Sequence, residues 1–166
     1  MIIAGKSVKL GDNINTDFII SGRYKFAITD MSELAKHIME DIDPNFPQKI
    51  TRGESIIVAG NNFGMGSSRE QAPLVIKEAG IAAVLSPQFA RIFFRNSFNI
   101  GLPLIETDTS KIDESDKLQI DLDNGVVRNI TKGIDLKIKP LPKFMQDLLT
   151  EGGIVNYYKK HGELKI

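Results

Sequence analysis

The sequence predicts an α/β fold: a three-layer β/β/α domain with a mixed sheet, parallel in its core and antiparallel in its C-terminal strands. Three observations carry that reading. Short β-branched runs alternate with amphipathic helical patterns between residues 54 and 105, as parallel strands with right-handed crossovers require. Three more strand patterns follow between residues 118 and 138, the first two joined by the hairpin signal Asp123-Asn124-Gly125. The composition, 42% apolar and 25% charged over 166 residues, supplies a packed core for one domain over residues 1–166.

Residues 2–10 are short and mixed and run into the turn Gly11-Asp12-Asn13. Residues 12–24 hold too many turn formers for a helix and read as a long functional loop around the apolar run Phe18–Ile20. Asp30 is a candidate N-cap with Glu33 completing a capping box. Leu34, Ala35, Ile38, Met39 and Ile42 then follow at helical spacing until Pro44. Glu54–Gly60 is a buried-strand pattern, residues 61–69 a loop, and Ala72–Ala79 a helix closed by Gly80. Ile81–Leu85 is a second strand, Phe89–Phe98 a helix and Leu102–Ile105 a third strand. The antiparallel strands are 118–122, 125–130 and 134–138. Pro140 and Pro142 lead into a helix over 143–149, which stops near Gly152-Gly153 before a last turn at 155–160.

Charge and residue usage exclude several functions. Lys plus Arg and Asp plus Glu both number 21, so the basic excess that nucleic acid or an anionic membrane demands is missing. No apolar run approaches the roughly 18–20 residues of a membrane span, and the first residues lack a signal peptide's pattern, so a soluble cytoplasmic domain is expected. There is no cysteine and there are two histidines, His37 and His161, both expected at the surface. Disulfides, thiol catalysis and an iron–sulfur cluster held by this chain alone are therefore excluded.

The richest chemistry lies in Asn61–Glu70 (NNFGMGSSRE), between a buried strand and a helix. Backbone N–H groups and the helix dipole favour an anion there, and the glycines permit close approach or φ > 0. Ser67 and Ser68 supply hydroxyls, and Arg69 a carboxylate fork. Ser67–Glu70 is equally a capping box, S-x-x-E, and the two roles are compatible. A dinucleotide fingerprint fails because Arg69 stands where its third glycine belongs. In the 11–24 loop, Ile14 occupies a position where a calcium-binding loop needs oxygen. Arg91 and Arg95 lie four apart on one helix face.

Three stretches, GDNINTD (11–17), NFGMGSSREQAP (62–73) and FARIFFRNSFNIGLP (89–103), together resemble the small subunit of 3-isopropylmalate dehydratase, of the aconitase superfamily. The likeness runs in order over essentially the whole chain. It implies the swivelling β/β/α domain of the aconitase type and a hydro-lyase of leucine biosynthesis, active only with a large subunit. That partner, joined as a heterodimer or heterotetramer, carries the [4Fe–4S] cluster, and no metal is bound by this chain. The substrate implied is a small dicarboxylate, and the isolated chain is free to self-associate.

By the same resemblance Ser67 is the base, acting as an alkoxide. Asp17 pairs with a histidine of the large subunit to serve the leaving hydroxyl, and Ser68 and Arg69 bind a substrate carboxylate. Lys25, Phe26 and Ala27 form the substrate-recognition loop; Phe26 stands where tricarboxylate-acting relatives place an arginine, which favours an apolar substituent. Asp12, Arg91 and Arg95 support the site or its interface. Relatives commonly have proline at the position of Ser21. Sister enzymes acting on 2,3-dimethylmalate, homoaconitate or citrate, and a non-enzymatic anion-binding module, are the alternatives.

Overall fold

Residue periodicity and glycine placement lay out the chain in a computed structural model that describes residues 1–164. Strand β1 (Ile2–Lys9) leads through four short helices, α1 (Thr16–Ile19), α2 (Gly22–Lys25), α3 (Met31–Ala35) and α4 (Phe46–Lys49), to β2 (Ser55–Val58). Then come α5 (Gln71–Glu78), β3 (Ile81–Ser86), α6 (Arg91–Asn99) and β4 (Leu104–Glu106). The antiparallel strands β5 (Lys117–Asp121), β6 (Val126–Asn129) and β7 (Ile134–Lys137) precede α7 (Lys143–Glu151) and α8 (Ile154–His161).

All seven strands join one curled mixed sheet in the order β4-β3-β2-β1-β5-β6-β7. The β2–α5–β3–α6–β4 alternation gives the parallel half, and β2 and nearly all of β3 are buried, as expected of strands covered on both faces. The antiparallel half is the 118–138 meander, with Gly125 at φ +66° closing its first turn. The strand β1 joins the halves: it runs parallel to β2 (Lys6 opposite Ser55) and antiparallel to β5 (Ile3 opposite Ile120). Its half-exposed face makes the stretch look mixed in sequence.

Three local expectations are corrected. The helix from Asp30 stops at Ala35, because Met39 takes φ +57° and donates its N–H to the Ile19 carbonyl at 2.9 Å. Leu34, Ala35, Ile38 and Met39 still reach the core, whereas Ile42 is exposed. Asp30 does cap, accepting the Glu33 N–H at 3.0 Å, but the Glu33 carboxylate turns to Lys36 at 2.6 Å. The 12–24 stretch holds α1 and all but the last residue of α2, each a single turn; Asn15 caps the first by accepting the Asp17 N–H at 2.9 Å. The stretch 155–160 is part of α8, whose Tyr157 packs edge-on against Phe144 of α7.

Candidate active site

Strands β1, β2 and β3 run parallel, so the segments leaving their carboxyl ends are neighbours, at the edge where open α/β sheets place ligands. Residues 11–17, 60–67 and 87–93 meet there and are zipped together by backbone hydrogen bonds. The Gly60 N–H donates to Gly11 (3.0 Å), Asn13 to Asn61 (2.8 Å), Gly64 to Ile14 (2.7 Å) and Thr16 to Met65 (2.9 Å). On the other side Phe63 donates to Gln88 (3.0 Å), and Ala90 to Phe63 (2.9 Å).

Side chains lock this arrangement and explain the glycines. Asp12 Oδ1 accepts the Asn61 N–H at 2.6 Å and occupies the space a Cβ on Gly60 would need. Gly64, at φ +84°, lies against Phe93, and a Cβ there would stand 2.6 Å from the Phe93 Cβ. Gly66, at φ +100°, lies against Asn15, whose Oδ1 would be 2.5 Å from such a Cβ. Phe63 fixes the loop from below, in edge contact with Phe89 and Phe93 at 6.0 and 5.4 Å between ring centres.

The result is an exposed Ser67-Ser68 pair whose hydroxyls have no hydrogen-bond partner among the described residues. Helix α5 begins after them. Its N-cap is Glu70, in the αR conformation and without a side-chain cap bond, so the capping-box expectation for Ser67 is overturned. The Ser67 carbonyl instead accepts the Arg69 N–H at 2.8 Å, a tight turn that separates the serines from the helix. The Arg69 side chain folds back, placing Nη1 2.6 Å from Asp17 Oδ1. That nitrogen is out of contact with water and is held by the ion pair with Asp17.

An open depression of about 710 Å³ borders the loop, lined by Lys25, Met31, Ser67, Ser68, Arg69 and Leu74 among others. Lys25 is held there through Tyr24, which stacks on His37 at 3.8 Å and within 12° of parallel, while Arg23 bonds Asp41 at 2.8 Å. A hydrogen bond to Glu40 raises the pKa of the Tyr24 hydroxyl above its ordinary value. His37, expected at the surface, is half-buried there and paired with Glu40 at 3.1 Å. Ser67, Ser68, Arg69, Asp17 and Lys25 therefore come together. Phe26 is 82% exposed beyond Lys25 and Ala27 is exposed, and neither lines the depression. Arg91 lines a second hollow, about 330 Å³, behind the serine loop, and Arg95 faces a groove farther along α6. Sequence reasoning gave no role to Asn15 and Thr16; the available signal was an Asn-x-Asp cap beside a turn-rich stretch.

With no cysteine in the chain, and no group of three His, Asp or Glu side chains placed to hold a metal among the described residues, this chain does not fit an iron–sulfur cluster as its holder. Among the described residues no helix is long and apolar enough to cross a membrane.

The aconitase C-terminal domain family model matches residues 14–109, which take in the three segments of the site except residues 11–13. A 3-isopropylmalate dehydratase small subunit 2 of Archaeoglobus fulgidus is 54% identical over 166 residues, with both chains fully covered. The small subunit of Nautilia profundicola is 54% identical over 96% of this chain and 95% of its own. The crystal structure of 3-isopropylmalate dehydratase from Methanocaldococcus jannaschii superposes with TM-score 0.92 at 46% identity, covering 98% of this chain and 96% of that one. Aconitase X of Thermococcus kodakaraensis shares the fold alone, with TM-score 0.51 at 14% identity over 84% of this chain and 91% of that one. Fold, site segments and full-length identity agree: the chain belongs to the 3-isopropylmalate dehydratase small-subunit family, within the aconitase C-terminal domain family.

Proposed function

We propose that this chain is the catalytically incomplete half of a hydro-lyase that interconverts 2-isopropylmalate and 3-isopropylmalate, a step of leucine biosynthesis, and that it works only with a large subunit. The observation that carries the reading is the Ser67–Arg69 loop: two hydroxyls without a partner among the described residues, beside the Arg69 guanidinium that an ion pair with Asp17 holds in place. A dicarboxylate in the depression can meet both hydroxyls and the guanidinium fork at once. Relatives at about half identity over full length bear the enzyme's name.

Removing a proton from carbon beside a carboxylate needs a base and stabilisation of charge. Ser67 takes that proton as an alkoxide, which a serine sustains only where donors are already fixed around it. The Arg69 guanidinium and the N–H groups of residues 66–68 are suited to that task. Ser68 and Arg69 hold a substrate carboxylate, and Asp17, paired with Arg69 in this chain, serves the leaving hydroxyl in the complex. The cluster and its Lewis-acid chemistry belong to the large subunit.

A second substrate class has one observation in its favour. Lys25 lines the depression and Phe26 does not, so a distal carboxylate would meet a cation there. The branched alkyl substrate remains the leading reading, because Lys25 can extend its ammonium to water while its stem covers apolar surface. Anaerobic mixing with a cluster-loaded large subunit tests the function. Turnover of 3-isopropylmalate is expected only when both chains are present. Turnover by this chain alone, or none by the mixture, overturns it.

A further inference from the structure

We infer that Thr16 is a positioning residue for Ser67, and that its hydroxyl sets where the serine base stands. The inference rests on the proposed role of Ser67. Thr16 is 1% exposed and directly precedes Asp17. It spans the seam between two chain segments: its N–H donates to the Met65 carbonyl at 2.9 Å, and its Oγ1 donates to the Ser67 carbonyl at 3.1 Å. That second bond is the only one by which a residue outside 61–70 holds Ser67 among the described residues.

The need for such a staple follows from the backbone. Gly66 sits at φ +100°, where no side chain steers the chain, and the serines have left the strand but not yet entered α5. The Ser67 carbonyl takes two donors, Thr16 Oγ1 from one side and the Arg69 N–H at 2.8 Å from the other. Together they fix the peptide plane between Ser67 and Ser68, and thereby the Cα–Cβ direction of Ser67 and the start of the Arg69 side chain. Because Asp17 is the next residue after Thr16, one buried hydroxyl ties the segments that carry Asp17, Ser67 and Arg69 into a single geometry.

A misplacement of about 1 Å costs on the order of 10²-fold in rate, so loss of the staple should show in kcat. The test uses the reconstituted two-subunit complex with 3-isopropylmalate and a saturating large subunit. Thr16→Val keeps the shape and removes the bond; kcat is expected to fall roughly 10- to 100-fold with KM within about threefold. Thr16→Ser, which keeps the hydroxyl, is expected to restore kcat to within about threefold of wild type. In a Ser67→Ala background Thr16→Val should cost nothing further, because residues acting through one group are not additive.

A wild-type kcat for Thr16→Val overturns the inference, as does an equal loss with and without Ser67. If Thr16→Val does not assemble, Thr16→Ala, which lets water reach the carbonyl, carries the same comparison. Failure of both to assemble assigns the hydroxyl to the fold and overturns the positioning role. Full turnover by Ser67→Ala sinks the base reading instead, so the two failures are distinguishable.

Discussion

Replacing Ser67 by alanine separates chemistry from stability more cleanly than any other change in this chain. Were Ser67 the cap of α5, its loss would cost about 0.5–2 kcal/mol. The structure forecasts less. The side chain is exposed, its hydroxyl has no partner among the described residues, and the helix begins after Glu70. The bonds that organise the turn, from Thr16 Oγ1 and the Arg69 N–H, end on the main-chain carbonyl and survive the substitution. Ser67→Ala should therefore change stability by no more than about 0.5 kcal/mol. With a urea slope of about 2 kcal/mol per molar, that moves the midpoint by roughly 0.25 M or less. Loss of a general base costs about 10²–10⁴-fold in rate, equivalent to about 3–5 kcal/mol of activation free energy. Urea titration of the isolated chain by circular dichroism gives the first quantity, and anaerobic turnover of the reconstituted complex gives the second. A midpoint shift equivalent to more than about 1 kcal/mol with turnover within tenfold of wild type would show that the serine is a structural cap after all.

Other perturbations probe the scaffold and the substrate loop. Gly64→Ala places a Cβ on Phe93 at φ +84° and should destabilise the isolated chain by about 2 kcal/mol or more; a thermal melt within 1 °C of wild type would contradict that packing. Asp116 is buried before β5, and burial pushes its pKa up. The Asp113 N–H, the Asn129 amide, Lys132 and Lys9 outweigh burial and hold the pKa below the usual carboxylate range. Its contribution is thus present above the unfolded value near 4 and lost as pH falls through the lower folded value. Asp116→Asn should cost about 1–3 kcal/mol at pH 7 and progressively less under about pH 4; a gap that ignores pH, measured by urea midpoints, refutes this. Phe26→Arg should leave stability unchanged, since the ring is 82% exposed outside the depression; if the large subunit closes residues 25–27 over the substrate, it should lower the kcat/KM ratio of 3-isopropylmalate to homoaconitate at least tenfold in the complex. An unaltered ratio would move the specificity determinant to Lys25.

In sequence β2 and β3 are legible as short apolar runs closed by glycine or proline, the meander by the alternation of its strands, and Asp123-Asn124-Gly125 turns where its chemistry says. The segments of the site are legible as motifs, and the parallel order of β1, β2 and β3 brings them together. What escapes is whatever depends on a distant partner. The strand β1 hides because alternate residues face solvent until the sheet closes on both its sides. The helix after Asp30 has the right period, yet the Ile19 carbonyl captures the Met39 N–H and ends it. The spacing of Ser67 to Glu70 fits a cap, but the Thr16 hydroxyl and the Arg69 N–H claim the Ser67 carbonyl and delay the helix. Local pattern is overridden where a tertiary hydrogen bond competes for the same backbone group.

The seam strand has a kinetic consequence. Pairing Ile2 with Asp121 and Lys6 with Lys117 closes a loop of more than a hundred residues, whereas the strands of the meander meet across short turns. The meander can therefore form early as a hairpin array, but it docks only once residues 2–9 are already held by β2. The β1–β5 ladder is accordingly the natural fault line for partial opening. Hydrogen exchange should release the amides of 117–137 as one cooperative group, while those of β2 and β3 exchange only through global unfolding. A partly open molecule would bare the β1 and β5 edges together, two unpaired strands able to exchange between copies, and there crowded or heated samples would begin to associate.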